Sequence, residues 1–152
     1  MKIEIVEFKP EYRGDFKKLN VEWLQKYFEV EPFDEQQLSN PETEILEKDG
    51  KIFFAKEGDR IFGTASLLKE SDRFDLAKMA VTEDSKGKGV GNLLMDRCMA
   101  EAKKLGAEKI VLTSNRILIL AITMYEKYGF REVPIREDIP CERGNIRMEL
   151  IF

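Results

Sequence analysis

The chain predicts an α/β domain built on a mixed, mainly antiparallel sheet of about six to seven strands, with helices on both faces. Three observations carry that expectation. Apolar residues alternate or run together in short strand-like segments and recur at helical spacing in three longer ones. Hairpin-forming segments come early and strand–helix–strand crossovers come late, the order that mixes antiparallel with parallel pairing. The composition, 43% hydrophobic and 36% charged over 152 residues, supplies a core and a solvated surface. Residues 1–152 therefore read as a single domain.

The elements follow in order. KIEIVEF (2–8) alternates as a half-buried strand does. From Pro10 to Phe28, the residues Tyr12, Phe16, Leu19, Trp23, Leu24, Tyr27 and Phe28 recur at helical spacing. Pro32 and Pro41 punctuate the next segment, where one or two short helices are expected between Asp34 and Lys48, ended by Asp49-Gly50. KIFFAK (51–56) and RIFGTASLL (60–68) flank Glu57-Gly58-Asp59, a hairpin signal, and FDLAKMAV (74–81) is a further strand. Val90, Leu94, Cys98, Ala102 and Leu105 then step by three or four, so 88–105 is an amphipathic helix. Lys103 and Lys104 suit its C-terminal dipole and Gly106 stops it. KIVLTS (109–114) is a short buried strand, Ile117 to Tyr128 a helix closed by Gly129. FREV and NIRMELIF are two last strands around a loop from Pro134 to Gly144.

Several function classes are excluded or disfavoured. The net charge is −4 and no basic face stands out, which argues against a nucleic-acid partner. No apolar run approaches the ~20 residues that span a bilayer. MKIEIVEFKP lacks a secretory h-region, so a cytoplasmic location is expected. The chain has no histidine, which removes a Ser-His-Asp triad, a Cys-His pair and any histidine-bearing metal site; no metal is expected. Cys98 falls on the apolar stripe of its helix and reads as core, and Cys141 lies in a loop with no partner for catalysis. Chemistry here must use carboxylates, tyrosine, lysine, cysteine or the backbone.

The most informative stretch is Glu83 to Leu94, EDSKGKGVGNLL. A strand, a glycine-rich turn and a helix start make an anion site, because the first helical N–H groups lack partners and the macrodipole adds positive charge. Glycine lets that backbone approach a phosphate closely and adopt φ > 0. Lys86 and Lys88 add charge. GKGVGN lacks the Lys-Ser or Lys-Thr of a P-loop, and its spacing is GxGxG rather than the GxGxxG of a dinucleotide fold. The bland alternative is a solvated, flexible turn.

KxxGxG at Lys86, Gly89 and Gly91 resembles the acyl-CoA pyrophosphate loop of the GNAT acetyltransferase superfamily, which usually has Gln or Arg where Lys86 stands. The resemblance continues through LAKMAV before the loop and LTSN…A…MYEKYGF (112–130) after it, and is close over residues 74–133. It implies acetyl-CoA as the donor. Met79, Ala80 and Val81 would then lie along the pantetheine arm. The backbone of Lys86, Gly87, Lys88, Gly89, Val90, Gly91 and Asn92 would hold the pyrophosphate. A tyrosine four residues after the helix alanine protonates the leaving thiolate in the family, and Ala121 to Tyr125 matches that spacing. Tyr128 reads as a packed amphipathic tyrosine. Asn115 either bonds the pantetheine amides or caps the helix, and Leu118 stands where the family often has Asn.

The resemblance thus implies an N-acetyltransferase acting on a primary amine of a small molecule or peptide, with a non-catalytic acyl-CoA sensor as the alternative. With no histidine, a carboxylate or an ordered water chain must take the amine proton; Glu22, Glu29, Asp75 and Glu83 are available, and nothing in the sequence ranks them. The acceptor pocket is expected from the 10–48 region and the 134–144 loop. Trp23, Tyr27 and Phe28 could equally line an interface between two copies.

Overall fold

A computed structural model describes residues 2–135 and 144–152. Cys141 and most of the Pro134–Gly144 loop lie outside the described residues. The strands are β1 (Glu4–Glu7), β2 (Lys51–Glu57), β3 (Arg60–Glu70), β4 (Arg73–Val81), β5 (Lys109–Ser114), β6 (Arg131–Val133) and β7 (Ile146–Ile151). The helices are α1 (Arg13–Tyr27), α2 (Pro32–Ser39), α3 (Pro41–Glu44), α4 (Val90–Lys104) and α5 (Ile119–Lys127).

The strands form one sheet in the order β1-β2-β3-β4-β5-β7-β6. Every neighbouring pair is antiparallel except β4 and β5, which the α4 crossover joins in parallel. The mixed, mainly antiparallel sheet expected from the element order is therefore the one observed. Boundaries move by a few residues: the first helix begins with a 3₁₀ turn at Pro10–Tyr12, and the fifth helix starts at Ile119 because Asn115–Leu118 forms a turn of its own.

Strand β2 shows how the layers are built. Phe53 and Ala55 point to the face covered by α4 and α5, while Ile52 and Phe54 point to the face covered by α1 to α3. All four are at most 1% exposed, so the period of two appears as two cores rather than as core and solvent. On one side Phe74, Leu76, Leu94, Met95 and Cys98 pack together; on the other Tyr12, Phe16, Leu38 and Ile45 surround Phe54. Each such side chain contributes roughly 1.5–3 kcal/mol by leaving water. Cys98 is core as expected, with its thiol pushed up to about 12 by burial.

Gly50 immediately precedes β2, where no side chain fits. A Cβ would sit 2.7 Å from the carbonyl oxygens of both Ile45 and Leu67. No described helix is long and apolar enough to cross a membrane.

Candidate active site

The sheet opens where β4 and β5 part. They pair only over Arg73–Asp75 against Lys109–Val111. Beyond that, β4 follows β3 to Val81 and β5 follows β7 to Ser114. A bulge helps to bend β4 away: Thr64 pairs Ala80 and Ser66 pairs Ala77, so Ala65 faces both Lys78 and Met79. The result is a cleft of about 560 Å³ with β4 (Asp75–Met79) and β5 (Leu112–Ser114) as its edges. Trp23, Phe28 and Phe33 of the α1–α2 region wall one side, and Tyr125 of α5 lines the other. Past Asp75 the cleft-side edge of β4 has no strand partner among the described residues, leaving backbone groups free for an extended ligand.

The glycine loop adjoins this gap. Gly87 and Gly89 take φ of 82° and 77°, and Gly89 is the N-cap of α4. A Cβ on either would meet nothing within 4 Å, so glycine is needed there for backbone conformation rather than room. A Cβ on Gly91 would lie 3.6 Å from Met79 Cε and 3.7 Å from Met124 Sδ, which puts the first turn of α4 between β4 and α5. The amides of Lys86 and Lys88 donate to Glu83 O at 3.3 Å and Ser85 O at 3.2 Å. Those of Val90, Gly91 and Asn92 have no carbonyl one turn back. The donors therefore concentrate in the first turn of α4. Lys86 turns toward α1, with its ammonium 3.3 Å from Tyr27 Oη and 3.2 Å from Glu83 Oε1.

The tyrosine within α5 and the one that caps it differ. Tyr125 packs against Phe130, with ring centroids 6.0 Å apart, and burial pushes its hydroxyl up to about 12. It is protonated at neutral pH and makes no hydrogen bond among the described residues. Tyr128 instead donates to Asp96 Oδ1 at 2.7 Å. Asn115 Oδ1 accepts from the Ile117 amide at 3.0 Å and Asn115 O from the Leu118 amide at 3.0 Å. This residue thus organises the turn into α5 while its side lines the cleft.

Residues 48–132 match the family model described as an acetyltransferase (GNAT) domain. The chain belongs to the GNAT acetyltransferase family. It is 30% identical over 128 residues, 82% of each chain, to an uncharacterised N-acetyltransferase, YvbK, of Bacillus subtilis. A GNAT-family acetyltransferase of Staphylococcus aureus superposes with a TM-score of 0.87, at 23% identity and covering 97% of this chain and 98% of that one. The PaiA N-acetyltransferase of Thermoplasma acidophilum, solved in complex with coenzyme A, superposes with a TM-score of 0.78 at 17% identity over the full length of both.

In this acetyltransferase the four carboxylates that the sequence leaves unranked separate in space. Glu22 and Glu29 are exposed, and Glu83 is ion-paired with Lys26 and Lys86. Asp75 alone of the four lines the cleft. Burial raises its carboxyl above the usual range against the opposing pull of Arg73, whose Nε lies 3.1 Å from Oδ1.

Two features of the acetyltransferase cleft have no sequence signature. Gln37 of α2 is 7% exposed, lines the cleft, and its Oε1 makes no hydrogen bond among the described residues. Lys78 has φ +50° and ion-pairs with Asp34, 44 residues earlier. A lysine in a strand pattern gives no hint of a left-handed backbone.

Proposed function

We propose that this enzyme moves an acetyl group from acetyl-CoA to a primary amine of a small molecule or peptide by direct attack of the amine on the thioester. The observation that supports it most is a cleft bordered by the open edge of β4 and lined by Tyr125, whose hydroxyl is protonated, with the first turn of α4 adjoining it beside Met79. A similar structure is that of an N-acetyltransferase in complex with coenzyme A, which favours the same donor here.

Met79, Ala80 and Val81 carry the free strand edge along which the pantetheine arm adds. Gly87 to Asn92 provide the backbone cradle for the pyrophosphate, with Lys86 and Lys88 adding charge nearby. Asn115 shapes the floor of the cleft. As the amine nitrogen bonds to the carbonyl carbon and the C–S bond breaks, Tyr125 gives its proton to the departing sulfur. Asp75, the cleft carboxylate, takes the proton the amine loses, and its raised affinity for protons suits that task.

The test has two readings. Coenzyme A at about 100-fold excess over Kd should stabilise the fold by roughly 2.7 kcal/mol, seen as a melting shift. A panel of primary amines with acetyl-CoA should then release free thiol with at least one acceptor. No melting shift at millimolar coenzyme A sinks the donor assignment; binding without turnover on a broad panel sinks the amine reading.

A further inference from the structure

Lys78 is the most unusual residue of the sheet. It occupies the bulge of β4 with φ +50°, a conformation that side-chain-bearing residues avoid. The bulge also changes which way β4 faces. Phe74 and Leu76 point into the core beneath α4; past the bulge Met79 and Val81 pack against that same core, so the alternation has slipped by one residue. That slip turns Met79 and Val81 onto the α4 side and leaves Lys78 and Met79 at the end of the cleft's β4 edge.

The side chain of Lys78 explains how the conformation is kept. Its ammonium lies 2.8 Å from Asp34 Oδ1, and the two side chains are 9% and 1% exposed. The other Asp34 oxygen accepts from the Glu31 amide at 3.0 Å, closing the capping box of α2. The ammonium also sits 5.6 Å from the ring centre of Phe33, which walls the cleft. One buried carboxylate therefore ties the start of α2 to the bulge. Apolar residues of similar size would fill this space without desolvating two charges, so the ion pair is a poor device for stability alone. It is a good device for fixing one backbone geometry.

We infer that Asp34 and Lys78 are a positioning pair: their buried contact holds the β4 bulge in its left-handed form, which keeps the Met79–Val81 edge turned to the donor and locks the α2 wall of the acceptor side to it. Neither residue acts in the chemistry. The inference rests on reading this cleft as the acetyl-transfer site.

The test compares full-length wild type with two double variants, Asp34→Asn/Lys78→Met and Asp34→Asn/Lys78→Gly. Asparagine keeps an oxygen for the Glu31 amide, and both doubles remove both charges of the pair. Methionine keeps the stem of lysine but not its anchor; glycine adopts positive φ without cost. Melting temperature, coenzyme A Kd by calorimetry, and kcat and KM for acetyl-CoA are measured on each. The methionine double should melt close to wild type, yet bind coenzyme A about tenfold more weakly and turn over about tenfold more slowly. The glycine double should recover coenzyme A affinity to within about threefold of wild type, because the bulge forms without the pair. A methionine double with wild-type Kd, KM and kcat overturns the inference, as does a glycine double that behaves like the methionine one. Failure of the wild type itself to bind coenzyme A overturns the reading of the cleft instead, and the inference with it.

Discussion

The hydroxyl of Tyr128, the C-cap of α5, donates to Asp96 Oδ1 on α4 at 2.7 Å and lies 3.1 Å from the carbonyl oxygen of Asn92. This contact clamps the helix that carries Tyr125 onto the helix that begins at the glycine loop. Three residues apart, the two tyrosines sit in different surroundings, and phenylalanine substitutions should separate them. Tyr128→Phe removes one hydrogen bond to a partly exposed carboxylate and should cost about 0.5–1.5 kcal/mol. For a chain of this size that is a melting shift of roughly 1–6 °C. Turnover at saturating acetyl-CoA should stay within about threefold of wild type. A calorimetric melt and a saturation curve check both halves.

Tyr125→Phe should do the reverse. The ring and its packing on Phe130 remain, so the melting temperature should hold and acetyl-CoA affinity should stay near wild type. Loss of a positioned acid typically lowers kcat by ~10²–10⁴-fold. Because burial pushes this hydroxyl up to about 12, ionisation of Tyr125 should not produce a basic limb in the wild-type kcat profile below about pH 10. A kcat within about threefold of wild type, with chemistry rate-limiting, would reject the acid role.

The glycine loop makes a graded prediction. Gly89→Ala forces a side chain into φ 77° and should cost about 1–2 kcal/mol of stability as well as coenzyme A affinity. Gly91→Ala meets only ordinary contacts at 3.6 and 3.7 Å, so the fold should hold or gain up to about 1 kcal/mol while coenzyme A binding weakens. Lys86→Ala should be the mildest for affinity, since its ammonium is engaged by Tyr27 and Glu83. Calorimetric Kd values that rank Lys86→Ala above Gly91→Ala would contradict a backbone cradle.

Asp75→Asn carries a pH signature. The folded carboxyl binds its proton more tightly than an unfolded one, first because of burial. Folding stability from this group is therefore highest at low pH and declines as pH rises from about 4 through the raised folded value. Asp75→Asn should flatten that decline in urea midpoints measured from pH 4 to 7. It should also lower kcat by roughly 10²–10⁴-fold if Asp75 takes the amine proton. Wild-type kcat in this variant would remove Asp75 from the chemistry.

Much of the architecture is legible in the residues themselves. KIFFAK and RIFGTASLL with Gly58 between them specify a hairpin, and Val90, Leu94, Cys98 and Ala102 specify the buried stripe of α4, because local periodicity decides which face each side chain can bury. The glycines at 87, 89 and 91 mark the loop because φ > 0 and close approach are backbone demands that one residue type meets. Tyr125 is legible only through its spacing in a family motif. The tertiary structure alone decided the rest. It put Asp75, alone of the four carboxylates, on the cleft, since strand pairing rather than sequence sets which one borders the gap. It turned Tyr128 toward Asp96 and left Tyr125 on the cleft, a choice made by how α5 lies against α4. It placed Lys78 on Asp34 from 44 residues away, and with it the bulge that bends β4. Ion pairs and bulges of this kind depend on which distant segments meet, and nothing in the local pattern of either segment encodes the other.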